Sequence, residues 1–328
     1  MMYGASISDS FGLNSGNSLV PDQFYPHQAQ KLLADLRIRN FGVSGNTTAQ
    51  MVGRMTALTH YEVPEFVVIY GGANDGLAAN QSTVQASPSP TSTVFAVGSG
   101  KAATMAAPGS WLTVNGQDRQ VLSISGDTIT LVSALSGAPS SGDAVAIATT
   151  KNLIQLGQFA RNNGCANVMF GLQHFLNWSS GGDTLASPSS AMVARRALQQ
   201  AAADALSAPV VDFYTGMRNR IVAATDAEGY VATTVATAAL PNVFTVASAT
   251  GLAVGKKISV DTQLATIIDV SGKLITTSGM KVIAGVSSTV STNYHVADAD
   301  PHLSAYGGYV MGGILADALI AEGWATAA

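Results

Sequence analysis

The stretch EFVVIYGGAND, residues 65–75, decides the fold. Its first half is an unbroken apolar run of strand length, and two glycines close it. A strand with one wet face alternates apolar and polar positions. An unbroken run suits a strand covered on both faces, as in a parallel sheet flanked by helices. The neighbouring segments alternate to match. QAQKLLADL (28–36) and TTAQMVGRMTAL (47–58) have helical spacing, and RIRNFGVSG between them reads as a short strand entering a Gly-containing turn. NLIQLGQFARNNG (152–164) is a helix that Gly164 can cap, and ANVMFGLQHF is the next strand. SPSSAMVARRALQQAAADALSAP is a helix with Ser187 at its N-cap and Pro188 in first position. APVVDFY is a strand, TGMRNRIVAA a helix, and HLSAYGGYVMGGILADALIAEG (302–323) a closing helix.

Two β-rich stretches interrupt this alternation. QASPSPTS (85–92) leads into VFAV and then GSWLTVNGQDRQVLSISGDTITLVSAL; the later stretch reads VFTV and then GKKISVDTQLATIIDVSGKLITTSGM. Both open on VF-small-V, continue with a Gly-led strand, and turn at an I/V-S-G before an L/I-T strand. The expectation is a duplicated small β-module, inserted at 84–150 and again at 230–295. The host is then 1–83, 151–229 and 296–328. Without the modules the host alternates β and α, so the expected class is α/β with a mainly parallel sheet.

Composition narrows the partners. Hydrophobic residues make up 47% of the 328, enough for a sizeable core, while charged residues are only 11% against the usual ~25%. The net charge of −4 leaves no basic footprint for nucleic acid. One cysteine, Cys165, excludes an internal disulfide framework and argues against a Cys-based zinc site; it reads as a small buried apolar residue. No run reaches the ~18 apolar residues of a membrane-spanning helix, and no charged-then-apolar leader pattern is visible. A virion-associated or extracellular setting is the expectation, with no membrane partner.

Four short stretches carry the chemistry: GASISDSFG (4–12), NFGVSGNT (40–47), GGAND (71–75) and DADPHLS (298–304). Each follows an expected strand or opens the last helix. In an open parallel sheet such strand ends share one edge, where ligands bind. Ser6 is the candidate nucleophile, and a serine hydroxyl needs a base within hydrogen-bond reach. His302 is the candidate base, with two carboxylates just before it to fix its tautomer. Acyl transfer develops an oxyanion, for which the N–H groups of Ser6 and Gly45 and the side-chain amide of Asn74 are candidate donors.

These blocks, in this order, resemble the SGNH (GDSL-like) hydrolase family: GAS near the start, a Gly block, GAND, and an acid and His in an HLS context. The resemblance covers the host and not the β-modules. It implies a three-layer α/β/α fold and hydrolysis of ester or related acyl bonds without a cofactor or metal. Carried over by motif, Ser6 is the nucleophile, Ser6, Gly45 and Asn74 form the oxyanion hole, and His302 is the base. Two positions depart from the pattern. Ala5 stands where the family has Asp, which affects the hydrogen bonding of the turn more than the chemistry. Ala299 occupies the place of the acid, between Asp298 and Asp300. Residues four apart share a helical face, which favours Asp298; Pro301 biases Asp300 away from the helical region.

Other polar residues read as structure. His27, His60, His174 and His295 are expected to be surface or satisfied histidines. Asp75 and Asp9 are expected to cap the turns that follow them, Asp212 to cap a helix, and Arg195 and Arg196 to be solvated. Trp178, in HFLNWSSGGD, lies on the functional edge and could line a substrate groove or pack a loop. The leading function is a serine esterase on an acylated carbohydrate, with O-acetyl esters as the substrate. The low charge and the β-modules also look like phage tail-associated deacetylases, in which such modules bind glycans or assemble oligomers and particles. The alternatives are a lipase or thioesterase acting on acyl chains, and an inactive glycan-binding or structural particle protein on the same fold.

Overall fold

A computed structural model describes residues 2–4, 25–34, 36–43, 45–55, 63–174, 188–228, 232–260, 263–292 and 305–328. In chain order the elements are β1 (Met2–Gly4), α1 (Tyr25–Lys31), α2 (Thr48–Gly53), β2 (Phe66–Tyr70), β3 (Ser82–Thr83), β4 (Val94–Ala96), α3 (Ala102–Met105), β5 (Trp111–Val114), β6 (Gln117–Ser125), β7 (Thr128–Leu131) and β8 (Ala144–Ile147). There follow α4 (Thr149–Asn162), β9 (Asn167–Leu172), α5 (Ser190–Ala205), β10 (Val210–Asp212) and α6 (Phe213–Glu228). The chain then forms β11 (Ala232–Leu240), β12 (Val243–Val246), β13 (Lys257–Val260), β14 (Gln263–Ser271), β15 (Leu274–Ser278), β16 (Thr289–Thr292) and α7 (Ala305–Ala321). Two compact units result: Met1–Asp9 with Arg39–Gln173 and Ser190–Val211, and Ser10–Ile38 with His174–Ser189 and Asp212–Ala328.

The first unit holds a four-stranded sheet in the order β1-β2-β9-β10. β1 runs parallel to β2, with Gly4 opposite Tyr70, and β2 runs parallel to β9. Every residue of β2 is buried, as its unbroken apolar run requires. On one side of the sheet Val67, Ile69, Val168 and Phe170 pack with Met51 and Val52 of α2, Leu153 and Leu156 of α4, and Ala202 and Ala203 of α5. Cys165 is buried in the same cluster, and burial pushes its thiol up.

The expectation of a mainly parallel sheet holds for this sheet's β1-β2 and β2-β9 pairs only; across the protein the sheets are mixed. The same unit carries a six-stranded sheet in the order β3-β8-β5-β6-β7-β4, whose pairs are antiparallel. Strands joined by two-residue turns can pair only this way. Asn115 and Gly116 have φ of 47° and 75°, the positive pair that an Asn-Gly hairpin turn needs. The second unit carries a closed barrel, β11-β12-β15-β14-β13-β16, also antiparallel.

The two β-structures follow one plan. Trp111 faces Gln120 where Lys257 faces Thr266, and Ile124 faces Ile129 where Val270 faces Ile275. Both long strands shift register at one place, between Val121 and Ser123 and between Ile267 and Asp269. Gly109 N donates to Val121 O at 2.8 Å, and Gly255 N to Ile267 O at 2.8 Å. Interior positions agree as well: Phe95, Leu112, Val121 and Ile129 in one core, Phe244, Ile258, Ile267 and Ile275 in the other.

In the second unit three helices pack together. The rings of Tyr25 (α1) and Phe213 (α6) meet edge to face at 5.6 Å. Ile314 of α7 lies against Gly216 of α6, and Arg220 pairs with Asp317.

Several sequence boundaries shift. The helix expected over 28–36 is α1, which starts earlier and stops at Lys31. The residues RIRNFG form no strand; Arg54 holds this segment instead, with Nη1 donating to Phe41 O at 2.6 Å. α5 begins at Ser190, so Pro188 precedes the helix; Ser187 lies outside the described residues.

Candidate active site

Parallel pairing brings the ends of β1 and β2 to one edge. Past Tyr70 the chain passes Gly71 and Gly72, the latter at φ +102°, and reaches Asn74. Asn74 Nδ2 donates to Asn46 O at 2.9 Å. Asn46 directly follows Gly45, which has φ +74°. Two of the expected oxyanion donors, Gly45 and Asn74, are therefore brought together from separate blocks. Asn74 is held in turn: its carbonyl accepts from Asn80 Nδ2 at 2.8 Å, and Asn80 is buried. Arg54 Nε donates to Asn46 Oδ1 at 2.8 Å and so steadies the other partner.

A capping box starts α2: Thr47 Oγ1 accepts from Gln50 N, and Gln50 Oε1 from Thr47 N at 3.1 Å. α3, which packs into the core of the six-stranded sheet, reaches the same helix. Thr47 Oγ1 donates to Thr104 O at 2.8 Å, Gln50 Nε2 to Ala103 O at 3.1 Å, and Ala49 belongs to that sheet's core. Lys101 Nζ also donates to Ala79 O at 2.6 Å, gripping the loop after Asn74. These contacts make the β-structure part of the loop's support.

Asp75 is the largest departure from expectation. It does not cap the following turn. Its Oδ1 accepts from Thr48 N at 2.8 Å, and its Oδ2 accepts from Thr48 Oγ1 at 2.5 Å and Thr149 Oγ1 at 2.7 Å. It thus takes the first N–H of α2 and ties the first residues of α2 and α4 together from beyond the end of β2. Burial pushes its carboxyl above the usual carboxylate range, and the threonine hydrogen bonds and Arg195 pull the other way. A perturbed carboxylate beside a candidate site is a candidate acid or base. Here both oxygens are taken by fixed donors, so Asp75 positions and does not transfer protons. Asn152, fully buried, extends the network from Thr48 Oγ1 (3.3 Å) to both backbone groups of Trp111.

Gln199 of α5 ties two strand ends. Its Nε2 donates to Gly71 O at 2.7 Å, and its Oε1 accepts from Gln173 N at 2.7 Å. Arg195 and Arg196 are half-buried, not solvated as expected; Arg196 Nη1 donates to Gln173 O at 3.2 Å and Arg195 lies against Gly76. His174 is fully buried past the end of β9. Asp212 caps α6 through Thr215, as expected. Ser6, Asp298, Asp300, His302 and Trp178 lie outside the described residues, as do Ala5, Asp9, His60 and His295.

The family model of GDSL-like lipases and acylhydrolases matches residues 2–230. The chain belongs to this GDSL-like lipase/acylhydrolase family. Membership points to ester hydrolysis on an SGNH-like α/β fold. The family match contains Ser6, Gly45, Asn74 and Trp178 and ends before His302. Curated proteins give no match. Among solved structures, a lipase/acylhydrolase from Enterococcus faecalis is 14% identical, with 99% of this chain and 95% of that one covered and a TM-score of 0.43. A member of the lipolytic G-D-S-L family from Veillonella parvula is 13% identical, with 68% and 81% covered and a TM-score of 0.37.

Within this GDSL-like chain, Asp75, Thr48, Thr149, Asn152 and Gln199 are the supports that sequence reading missed. A signal existed for two of them: Asn152 and Gln199 fall on otherwise apolar helix faces, beside Leu153 and Leu156 and beside Ala202 and Ala203. A buried amide needs a partner.

Gly45 yields a direct prediction. Among the described residues nothing lies within 4 Å of a Cβ at this position, so the effect argued for Gly45→Ala is backbone strain. At positive φ an alanine costs about 1–2 kcal/mol. The loop should relax to relieve it, lowering kcat on a small ester several-fold with a modest fall in Tm. Wild-type kcat in that variant would show that the left-handed turn does not matter to turnover.

Proposed function

We propose that the protein is a serine esterase that removes O-acetyl groups from a polysaccharide. Ser6 attacks the acyl carbon, and His302 takes its proton and returns it to the leaving sugar hydroxyl. Asp298 or Asp300 orients the imidazole, with Asp298 favoured. The N–H groups of Ser6 and Gly45 and the Asn74 amide stabilise the oxyanion. One observation carries this reading: Asn74 Nδ2 donates to Asn46 O, next to the left-handed Gly45, past the end of β2 where it runs parallel to β1. The family match supports the ester chemistry. The carbohydrate part rests on the low charge of the chain and its two β-structures, which this reading treats as insertions in one hydrolase domain. A virion or extracellular setting belongs to the same reading, as does assembly through the β-structures.

The test is acetate release from a panel of acetylated polysaccharides, run beside short- and long-chain esters. Release of acetate with little turnover of long-chain esters is expected. Preference for long acyl chains would overturn the carbohydrate reading in favour of a lipase or thioesterase. No hydrolysis of any ester would leave the glycan-binding or structural alternative.

A further inference from the structure

Away from the strand-end site, a groove of about 400 Å³ lies in the first unit, lined by Trp111, Gln120, Lys151, Ile154, Gln155 and Gln158. That volume falls in the range of small-ligand sites. Two sequence periods build it. Along β5, Leu112 and Val114 are buried in the sheet core, so alternation turns Trp111 to the other face. Trp111 pairs with Gln120 across the ladder, which sets the two side chains next to each other. Along α4, Asn152, Leu153, Leu156, Gly157 and Ala160 are buried. Lys151, Ile154, Gln155 and Gln158 follow the i, i+3, i+4, i+7 spacing of a single adjacent stripe.

The walls are fixed to each other. Trp111 N donates to Asn152 Oδ1 at 2.7 Å, and Asn152 Nδ2 to Trp111 O at 3.2 Å. Gln120 Nε2 donates to Gly109 O at 2.9 Å, which sets the orientation of its amide. Gln155 Oε1 is buried, and among the described residues no donor reaches it. A turn of the Gln155 side chain that brought this oxygen into the groove would let a ligand hydroxyl supply the missing donor.

The lining therefore offers one indole, three carboxamides, one ammonium and one aliphatic side chain, with no carboxylate. An acyl chain would want apolar walls throughout. A phosphate-rich ligand would want more than one cation. We propose that this groove is a glycan-binding site that takes one pyranose unit of a carbohydrate chain. The apolar face of the ring stacks on Trp111. Its hydroxyls exchange hydrogen bonds with Gln120 and Gln158 and, once the Gln155 side chain turns outward, one of them donates to Gln155 Oε1. Lys151 favours a sugar that carries a carboxylate. The site is separate from the hydrolytic chemistry and stands whether or not acetyl esters are the substrate.

Calorimetric titration of the full chain with short oligomers of glucose, N-acetylglucosamine and galacturonic acid tests it. At least one should bind, and oligogalacturonate more tightly than the neutral chains. Trp111→Ala should weaken binding by about tenfold or more. Gln158 is exposed and outside the core, so Gln158→Ala should keep the wild-type Tm while losing affinity several-fold. Lys151→Gln should remove the preference for the acidic chain. No binding by any oligomer, or wild-type affinity in both Trp111→Ala and Gln158→Ala, would overturn the proposal. Equal affinity for acidic and neutral oligomers in the wild type would overturn the role of Lys151. These readouts measure binding, so they fail independently of the acetate-release test.

Discussion

Ser6→Ala is expected to abolish release of p-nitrophenol from p-nitrophenyl acetate. Removing the nucleophile of a Ser-His-acid unit lowers kcat by about a millionfold, because the three groups act as one device. What remains is the smaller acceleration from oxyanion donors and binding. The substitution removes one hydroxyl oxygen, so loss of turnover should come with an unchanged circular dichroism spectrum and Tm. Turnover within a few-fold of wild type would sink the serine mechanism altogether. The same assay chooses the acid. If Asp298 orients His302, Asp298→Asn costs far more than Asp300→Asn, because an imidazole in the wrong tautomer cannot accept the Ser6 proton. Equal and small effects would point to a Ser-His pair acting without an acid.

Asp75→Ala is the substitution with the largest expected effect on stability. It leaves Thr48 N–H, Thr48 Oγ1 and Thr149 Oγ1 buried without their shared acceptor. Stranded buried donors cost about 1–3 kcal/mol each before relaxation, so a loss of about 3 kcal/mol or more is expected by urea unfolding. Asp75→Asn keeps one acceptor oxygen and the shape, and the hydroxyls can rotate to accept, so its cost should be smaller. The two variants also differ from wild type in pH dependence. Burial raises the folded-state pKa of Asp75, so the folded protein holds the proton more tightly than the unfolded chain does. This contribution is fully present below the unfolded carboxyl value and is lost as pH rises through the raised folded value. The stability of wild type relative to Asp75→Asn should therefore fall from about pH 4 upward and then level off. A difference that is flat, or that rises with pH, would show that the carboxylate is not held above its usual range. Because Asp75 adjoins Asn74, kcat for small esters should fall in Asp75→Asn with KM little changed.

Local patterns made part of this legible. The unbroken run of β2 has to be covered on both faces, and it is. The Asn115–Gly116 hairpin follows from the positive φ that few other residue pairs tolerate. Asp212 caps the helix that starts beside it, a contact contained within a few residues. The misreadings share one cause, which is that a partner distant in sequence set the outcome. In RIRNFG side chains take backbone groups that a ladder would use: Gln30 accepts from Ile38 N and Arg54 donates to Phe41 O. Asp75 is not a local cap because Thr48 and Thr149 reach it from two helices. Arg195 and Arg196 are only half in solvent, since Gln173 and Gly76 lie against them. Within the site, Gly45 and Asn74 announced themselves by motif, while the network that holds them had only the faint signal of amides on apolar helix faces.

The shared plan of the two β-structures has a use of its own. Interior positions agree between them, yet where one ladder sets Trp111 opposite Gln120, the other sets Lys257 opposite Thr266. The chain therefore carries an internal reference in which the same scaffold lacks the aromatic platform. Any ligand that recognises the pair Trp111–Gln120 should ignore its counterpart, and a single titration of the intact molecule should report one such event and not two.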